Sequence, residues 1–243
     1  MDDEGRIVPA AEMGVVFVVV PGGSYWMGAQ AEDPDAPGFD PGAHSEEAPV
    51  HRVEVPSFLL AKTELTQGQY ERGMGSNQSS FSTGDLLPVE SLTWEESDAF
   101  CTALGLRLPS EAEWEYACRA GTKTPWSTGE SLDGDQANFR GGPGKPLPIM
   151  SYPANQWGFN DMHGNVWEWC QDVWADYEVA REHHPAAHEP RVGTGAVRVT
   201  RGGSAWYPSR GCRSACRNPD DPVIRDRSRG FRVAASASPS FGN

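Results

Sequence analysis

An α+β domain with little regular secondary structure is what this sequence predicts, and three observations carry the prediction. The 243 residues include 27 Gly, 20 Pro and nine Trp, a mixture that suits ordered loops pinned by aromatic packing. Two helix-start signals, Thr93-Trp94-Glu95-Glu96 and Ser110-Glu111-Ala112-Glu113, follow one another closely, and each offers a hydroxyl and a carboxylate to orphan amides of a first turn. Short apolar or alternating stretches stand near both ends of the chain, as strands require. The length suffices for one large domain with its own core, and no solenoid period is visible.

In chain order, Val15-Val16-Phe17-Val18-Val19-Val20 reads as a buried strand, and the turn cluster Pro21-Gly22-Gly23-Ser24 leads into Tyr25-Trp26-Met27-Gly28 as a hairpin would. Residues 31–48 are rich in Pro, Gly, Asp and Glu and predict a surface loop. His51–Val55 alternates polar with apolar and Pro56 precedes Phe58-Leu59-Leu60, which predicts an edge strand bending into the core. The capping boxes start two helices, stopped by Gly105 and Gly121. From Thr122 to Met162 turns dominate. Beyond Val197 the pattern is short and extended, ending in the alternating core strand Arg229–Ala234. The domain is set at 13–235, with 1–12 and 236–243 as loose ends.

The 34 acidic and 20 basic residues give a formal charge of −14. That balance disfavours non-specific contact with nucleic acid or an anionic membrane and makes cationic or neutral partners easier. The longest apolar run is too short to span a bilayer and follows an acidic start, so neither a signal peptide nor an anchor is expected. Five cysteines without an export signal predict a cytoplasmic protein with reduced thiols.

Several stretches, taken together and in order, are specific. They are Val20-Pro21-Gly22-Gly23 with Met27-Gly28, Arg107-Leu108-Pro109-Ser110-Glu111-Ala112-Glu113-Trp114-Glu115-Tyr116-Ala117, Asp161-Met162-His163-Gly164-Asn165-Val166-Trp167-Glu168-Trp169, Arg201-Gly202-Gly203-Ser204, and Gly230-Phe231-Arg232. Over about residues 15–235 the chain resembles the formylglycine-generating enzyme, or sulfatase-modifying factor, family. The resemblance implies a C-type-lectin-like fold with much ordered loop. In genuine members, two cysteines separated by four residues, just after the Gly-Gly-Ser turn, bind Cu(I) and oxidise a substrate cysteine with oxygen; thiolates suit that ion. Counting back from Gly230 to Arg217 places the second of these near Ser209 and the first near Tyr207 or Ser204, depending on where a short gap is placed, none of them a cysteine, so no copper is expected. Cys212 and Cys216 are the alternative thiolate pair, although Cys212-Arg213-Ser214-Ala215 resembles scaffold in the non-oxidising branches, where a small apolar residue packs. Cys101 and Cys118 match cysteines that secreted members bridge to partners near the C-terminus; those partners correspond here to Val233 and Ser214.

The resemblance also implies a structural calcium loop. Asp161 and Glu168 would supply carboxylates, and Gly164 and Val166 backbone carbonyls, hard oxygens around a flexible turn. A second calcium site is only partly kept: Asn138 and Phe139 remain, while the acidic partner is missing from the shortened stretch Gly141–Met150. His163 reads as a hydrogen-bonded turn residue. Of the six histidines, His183, His184 and His188 fall in a Pro- and Glu-rich insertion, a solvated loop, and none has helical metal-binding spacing.

Ten arginines lie between Arg191 and Arg232, opposed in 205–228 only by Asp220, Asp221 and Asp226. Arg213, Arg217 and Arg232 resemble family scaffold that pairs with carboxylates, and a nucleic-acid groove is not expected. Between such residues stand Tyr207, Ser209, Gly211, Cys216, Asn218, Ile224, Asp226 and Ser228. Each has a codon ending in C that differs from AAC only at its adenines. Residues 205–228 thus resemble the variable region of proteins diversified by retroelements through adenine-specific mutagenesis, which use this fold and end in a similar Gly-Phe-Arg segment. The expectation is a non-catalytic binding protein whose solvent-facing surface is made of those eight residues and Trp206, its ligand a protein or other macromolecule. The alternative is an oxidoreductase of the same superfamily with altered chemistry.

Overall fold

The computed structural model describes residues 9, 10, 12–81, 84–177 and 196–237. His183, His184, His188 and Arg191 lie outside the described residues, as do most of 1–12 and 238–243. Nine strands are described: β1 (Phe17–Val20), β2 (Gly23–Met27), β3 (His51–Val55), β4 (Phe58–Ala61), β5 (Trp167–Val173), β6 (Arg198–Arg201), β7 (Arg217–Asp220), β8 (Arg229–Gly230) and β9 (Ala234–Ser236). They form a three-stranded sheet β1-β4-β9, a pair β2-β3 and a four-stranded sheet β7-β6-β5-β8. Three helices, α1 (Gln67–Met74), α2 (Trp94–Ala103) and α3 (Glu111–Arg119), fill the space between.

Two expectations for the N-terminal strands fail. β1 and β2 are not a hairpin: β1 pairs with β4 and β2 with β3, in separate sheets. The residues of the turn cluster serve to change sheets. Nor is β1 buried throughout, since it is an edge strand and Val19 is 68% exposed. The expected last strand is also split. Arg229-Gly230 runs parallel to β5, while Ala234–Ser236 pairs with β4, because buried Phe231, Arg232 and Val233 cross from one sheet to the other. Ser236 therefore belongs to the fold rather than to a loose end.

All three helices begin with a capping box in which the N-cap hydroxyl accepts from the N3 amide and the N3 side chain reaches back. The first, Thr66-Gln67-Gly68-Gln69, is legible in the sequence by the same rule and passes unread there. The long stretch from 122 to 166 contains no helix or named strand. It is ordered by side-chain-to-backbone bonds such as Asn155 Nδ2 to the Ala117 carbonyl at 2.8 Å. One core cluster packs α3 against β2, β3, β4 and β6 through Trp114, Ala117, Met27, Val53, Phe58 and Val199. A second joins Leu65, Tyr70 and Phe100 to Trp169, Phe231 and Val233. Cys101 and Val233 share this second cluster, and Cys118 Sγ lies 3.6 Å from Ser214 Oγ, so one of the two residues matched as bridge partners does meet its thiol.

Candidate functional site

The candidate surface hangs between β6 and β7. β6 is followed by Gly202 and Gly203, with φ of +95° and +78°. A Cβ on Gly203 would stand 2.4 Å from Cys212 Sγ, so only glycine lets the chain turn this tightly around Cys212. Ala205 is then tied to the Asn165 carbonyl at 3.0 Å, and the chain emerges at Trp206 and Tyr207. It returns through a short 3-10 turn, Ser209–Cys212.

Below the turn, arginines form a buried scaffold. Arg213 bonds both oxygens of Glu47 and one of Asp40 at 2.6–2.7 Å. Arg217 holds both oxygens of Glu111 at 2.8 Å, and Arg201 pairs with Glu115. Arg232 grips both oxygens of Glu168 at 2.6 Å, beside the Trp114 indole N–H, which donates to Glu168 at 2.7 Å. Arg201, Arg213 and Arg232 are essentially inaccessible to solvent. A buried guanidinium without its carboxylate would be costly, so these residues are as structural as Trp114.

Above this scaffold the predicted surface is partly assembled. Tyr207 is 39% exposed and packs at 87° to Trp167, with centroids 5.2 Å apart. Trp206 is half-buried, stacked on Phe81 at 5.5 Å, with the Arg227 guanidinium 5.2 Å from its ring. Arg140 donates from Nε and its backbone amide to the carbonyls of Trp206 and Tyr207, both at 2.8 Å. Ser209 and Gly211 border Tyr207 and are half-buried. Ile224 is 48% exposed on the following loop. No hydrogen bond occupies the side chains of Tyr207, Ser209 or Arg210 among the described residues.

Four predicted positions do not belong to an open display face. Cys216 is 8% exposed, because it immediately precedes Arg217 in the buried ion-paired layer. Ser228 is also buried; its hydroxyl donates to Asp226 at 2.5 Å, and its carbonyl accepts the Trp167 amide at 2.7 Å. Asp226 is half-buried and held by Ser228, and Asn218 donates to Thr200 on the neighbouring β6 and to Asp220 two residues along its own strand, β7. An extended strip through 205–228 would turn alternate side chains to one face. The chain instead forms a 3-10 turn, a short strand and a loop, so neighbouring codons do not share a face.

The proposed calcium loop sits on the other side of Trp114. Asp161, at φ +59°, accepts the Met150 amide at 2.8 Å. Burial raises its carboxyl to about 6, against the pull of that hydrogen bond. Glu64, which sequence reasoning missed, is fully buried and accepts Asn165 Nδ2 at 2.6 Å and the Val166 amide at 3.1 Å. Burial, with Asp161 and Glu168 nearby, pushes its carboxyl up. Glu168 spends both oxygens on Arg232 and one also on Trp114. Among the described residues, no group of three or more His, Cys, Asp and Glu is gathered tightly enough to hold a metal. The donor chemistry nevertheless fits a hard cation: buried carboxylates outnumber the guanidinium, and the buried Oδ1 atoms of Asn138 and Asn160 have no hydrogen-bond partner. His163 is structural in its contacts. Its Nδ1 donates to the Cys212 carbonyl at 2.8 Å, which leaves Nε2 to accept from Ser127 Oγ at 2.8 Å, and burial lowers its pKa to about 4.

With this geometry established, the chain matches the sulfatase-modifying factor enzyme 1-like domain over residues 5–237. It belongs to that family. It is 31% identical over 261 residues to the serine/threonine-protein kinase pkn1 of Chlamydia caviae, covering 96% of this chain and 40% of that protein. The chain thus spans well under half the length of that relative. PvdO from Pseudomonas aeruginosa superposes with a TM-score of 0.79 at 26% identity, covering 91% of this chain and 94% of PvdO. Treponema denticola variable protein 1 gives 0.73 at 23% identity, with 91% and 95% covered, which shows a shared fold. The architecture is the loop-rich, C-type-lectin-like fold of the sulfatase-modifying factors.

The five cysteines are all buried and unbridged. Burial pushes Cys118 up to about 12, Cys216 to about 11 and Cys212 higher still, so these thiols are poor sources of thiolate.

Proposed function

We propose that this chain is a non-catalytic ligand-binding protein, a variable protein of the retroelement-diversified kind, which presents the Trp206–Tyr207 turn on a sulfatase-modifying-factor scaffold. The observation that carries the reading is the division of residues 201–232. Its buried arginines are bound to carboxylates, while the side chains of Tyr207, Ser209 and Arg210 stand outside that layer and make no hydrogen bond among the described residues. Side chains free of structural duty can be exchanged without loss of fold, and a rigid Tyr and Trp among small neighbours suit an adaptable contact surface. The same reading assigns the protein to the cytoplasm, a proposal supported by five unbridged thiols, of which Cys118 lies against Ser214.

Incubation with a cysteine-containing sulfatase peptide under copper-loading conditions is expected to give no aldehyde above a no-protein control. Aldehyde formation that disappears in Cys212→Ser or Cys216→Ser would establish a displaced thiolate site and overturn the non-catalytic reading.

We also propose a structural calcium ion at Asp161, with the Gly164 and Val166 carbonyls and with Glu64 supplying the second carboxylate, because Glu168 is taken by Arg232. The ion would supply positive charge to buried carboxylates. Millimolar-range calcium is expected to raise Tm over a chelator-treated sample, and Asp161→Asn to remove most of that increment, since a ligand bound only to the native state stabilises it by mass action. An equal response in the variant would place the ion elsewhere, and no response in the wild type would remove it.

A further inference from the structure

We propose that the partner of the Trp206–Tyr207 surface is an acidic protein segment, one that offers several Asp or Glu carboxylates. This rests on the display-surface reading and names the ligand chemistry. The observation is a sorting of arginines. Arg201, Arg213, Arg217, Arg225, Arg229 and Arg232 each lie within ion-pair distance of a carboxylate. Arg140, Arg210 and Arg227 are exposed and have no carboxylate within that distance among the described residues. Asp226 acts on Arg227 only through space, while its oxygens bind Ser228 and face Arg229.

Two of these guanidinium groups are held at the turn, and the third arginine belongs to it by its backbone. Arg140 is bound to the Trp206 and Tyr207 carbonyls, Arg227 lies against the Trp206 ring, and Arg210 is in the 3-10 turn that folds back beside Tyr207. A chain of formal charge −14 therefore carries, among the described residues, three carboxylate-free arginines on the segments that form its proposed binding surface. Planar guanidinium forks match carboxylates in pairs of parallel hydrogen bonds. At physiological salt the distant negative charges of the chain are screened within about 8 Å, while direct contacts with these arginines are not.

A single-stranded nucleic acid held by base stacking would need exposed aromatic faces as well as cations. Here the rings are already engaged: Trp206 by Phe81 and Arg227, and Tyr207 at right angles to Trp167. The net charge also opposes a polyanion approaching on a broad front. A short acidic segment is the chemistry these arginines fit.

The test is a selection of random linear peptides displayed on phage, performed on the wild-type protein. Recovered peptides are then measured against Tyr207→Ala, against the triple variant Arg140→Gln/Arg210→Gln/Arg227→Gln, and against an oligothymidylate competitor. Enrichment in Asp and Glu, with affinity lowered about tenfold or more in the triple variant and weakened by added salt, is expected. The triple variant should melt with the wild type, which separates lost binding from lost fold. Peptides that lose binding in Tyr207→Ala, show no acidic enrichment and ignore the triple variant would overturn the acidic partner while leaving the display surface standing. Recovery only of peptides indifferent to both variants would sink the display reading itself. Arginine-dependent displacement of the peptides by a lower concentration of oligothymidylate would assign these arginines to nucleic acid instead.

Discussion

Arg232→Met is expected to destabilise the fold by about 3–5 kcal/mol, the usual result of removing one partner of a buried ion pair. Arg232 is inaccessible to solvent and donates to both oxygens of Glu168, to the Ala61 carbonyl at 3.2 Å and to the Asn160 carbonyl at 3.1 Å. Without the guanidinium, Glu168 keeps the Trp114 indole as a partner and lies near two further acids, half-buried Asp161 and fully buried Glu64. Most of the loss is the cost of that unpaired charge. Adding Glu168→Gln should therefore recover part of it, a coupling that a double-mutant cycle in urea reads directly. Arg227→Met, at an exposed site, should shift stability by no more than about 0.5 kcal/mol. A loss below about 1 kcal/mol for Arg232→Met would show that the pair is not part of the scaffold.

Gly164→Ala is expected to be worse still. Gly164 has φ +90°, and an added Cβ would stand 2.2 Å from the Asn138 carbonyl oxygen and 2.9 Å from its carbon. Both obstacles are backbone, so no side-chain rotation relieves them. Gly105→Ala is the control, since Gly105 has φ +69° with open space around it and should cost only the left-handed penalty of about 1–2 kcal/mol. The expected readout is little or no soluble, cooperatively melting protein for Gly164→Ala and a lowered but cooperative Tm for Gly105→Ala. Comparable melts for the two would contradict the packing described here.

These two residues also show what the sequence makes legible. The Asp161–Trp169 motif reveals that Gly164 and Glu168 matter, because family resemblance marks positions whose backbone or charge cannot vary. It does not reveal that Glu168 faces Arg232 across 64 residues, since ion-pair partners distant in the chain leave no local pattern. Glu64 passes unnoticed for the same reason. The capping boxes at Thr93 and Ser110 are readable because their hydrogen bonds close within three residues. Pairing of β1 with β4 rather than β2 is not readable, because periodicity tells which face of a strand is apolar and says nothing of its neighbour. At the binding surface the chemistry of single residues is legible for Trp206 and Tyr207. Burial of Cys216 and Ser228 is not, because it depends on a 3-10 turn and a strand that interrupt the alternation.

The measurement that bears most directly on the proposed function is a library in which Tyr207, Ser209, Gly211 and Ile224 are randomised together, compared with one in which Cys216 and Ser228 are randomised. Both are scored for cooperative melting, and the first is selected against unrelated protein targets. In the first library most variants are expected to melt close to the wild type, and different targets should enrich different residues at the four positions. In the second, most variants should be destabilised, since those side chains are buried and bonded within the scaffold. Unfolding of most members of the first library, or failure of every target to enrich any sequence there, would contradict a display surface at Trp206 and Tyr207.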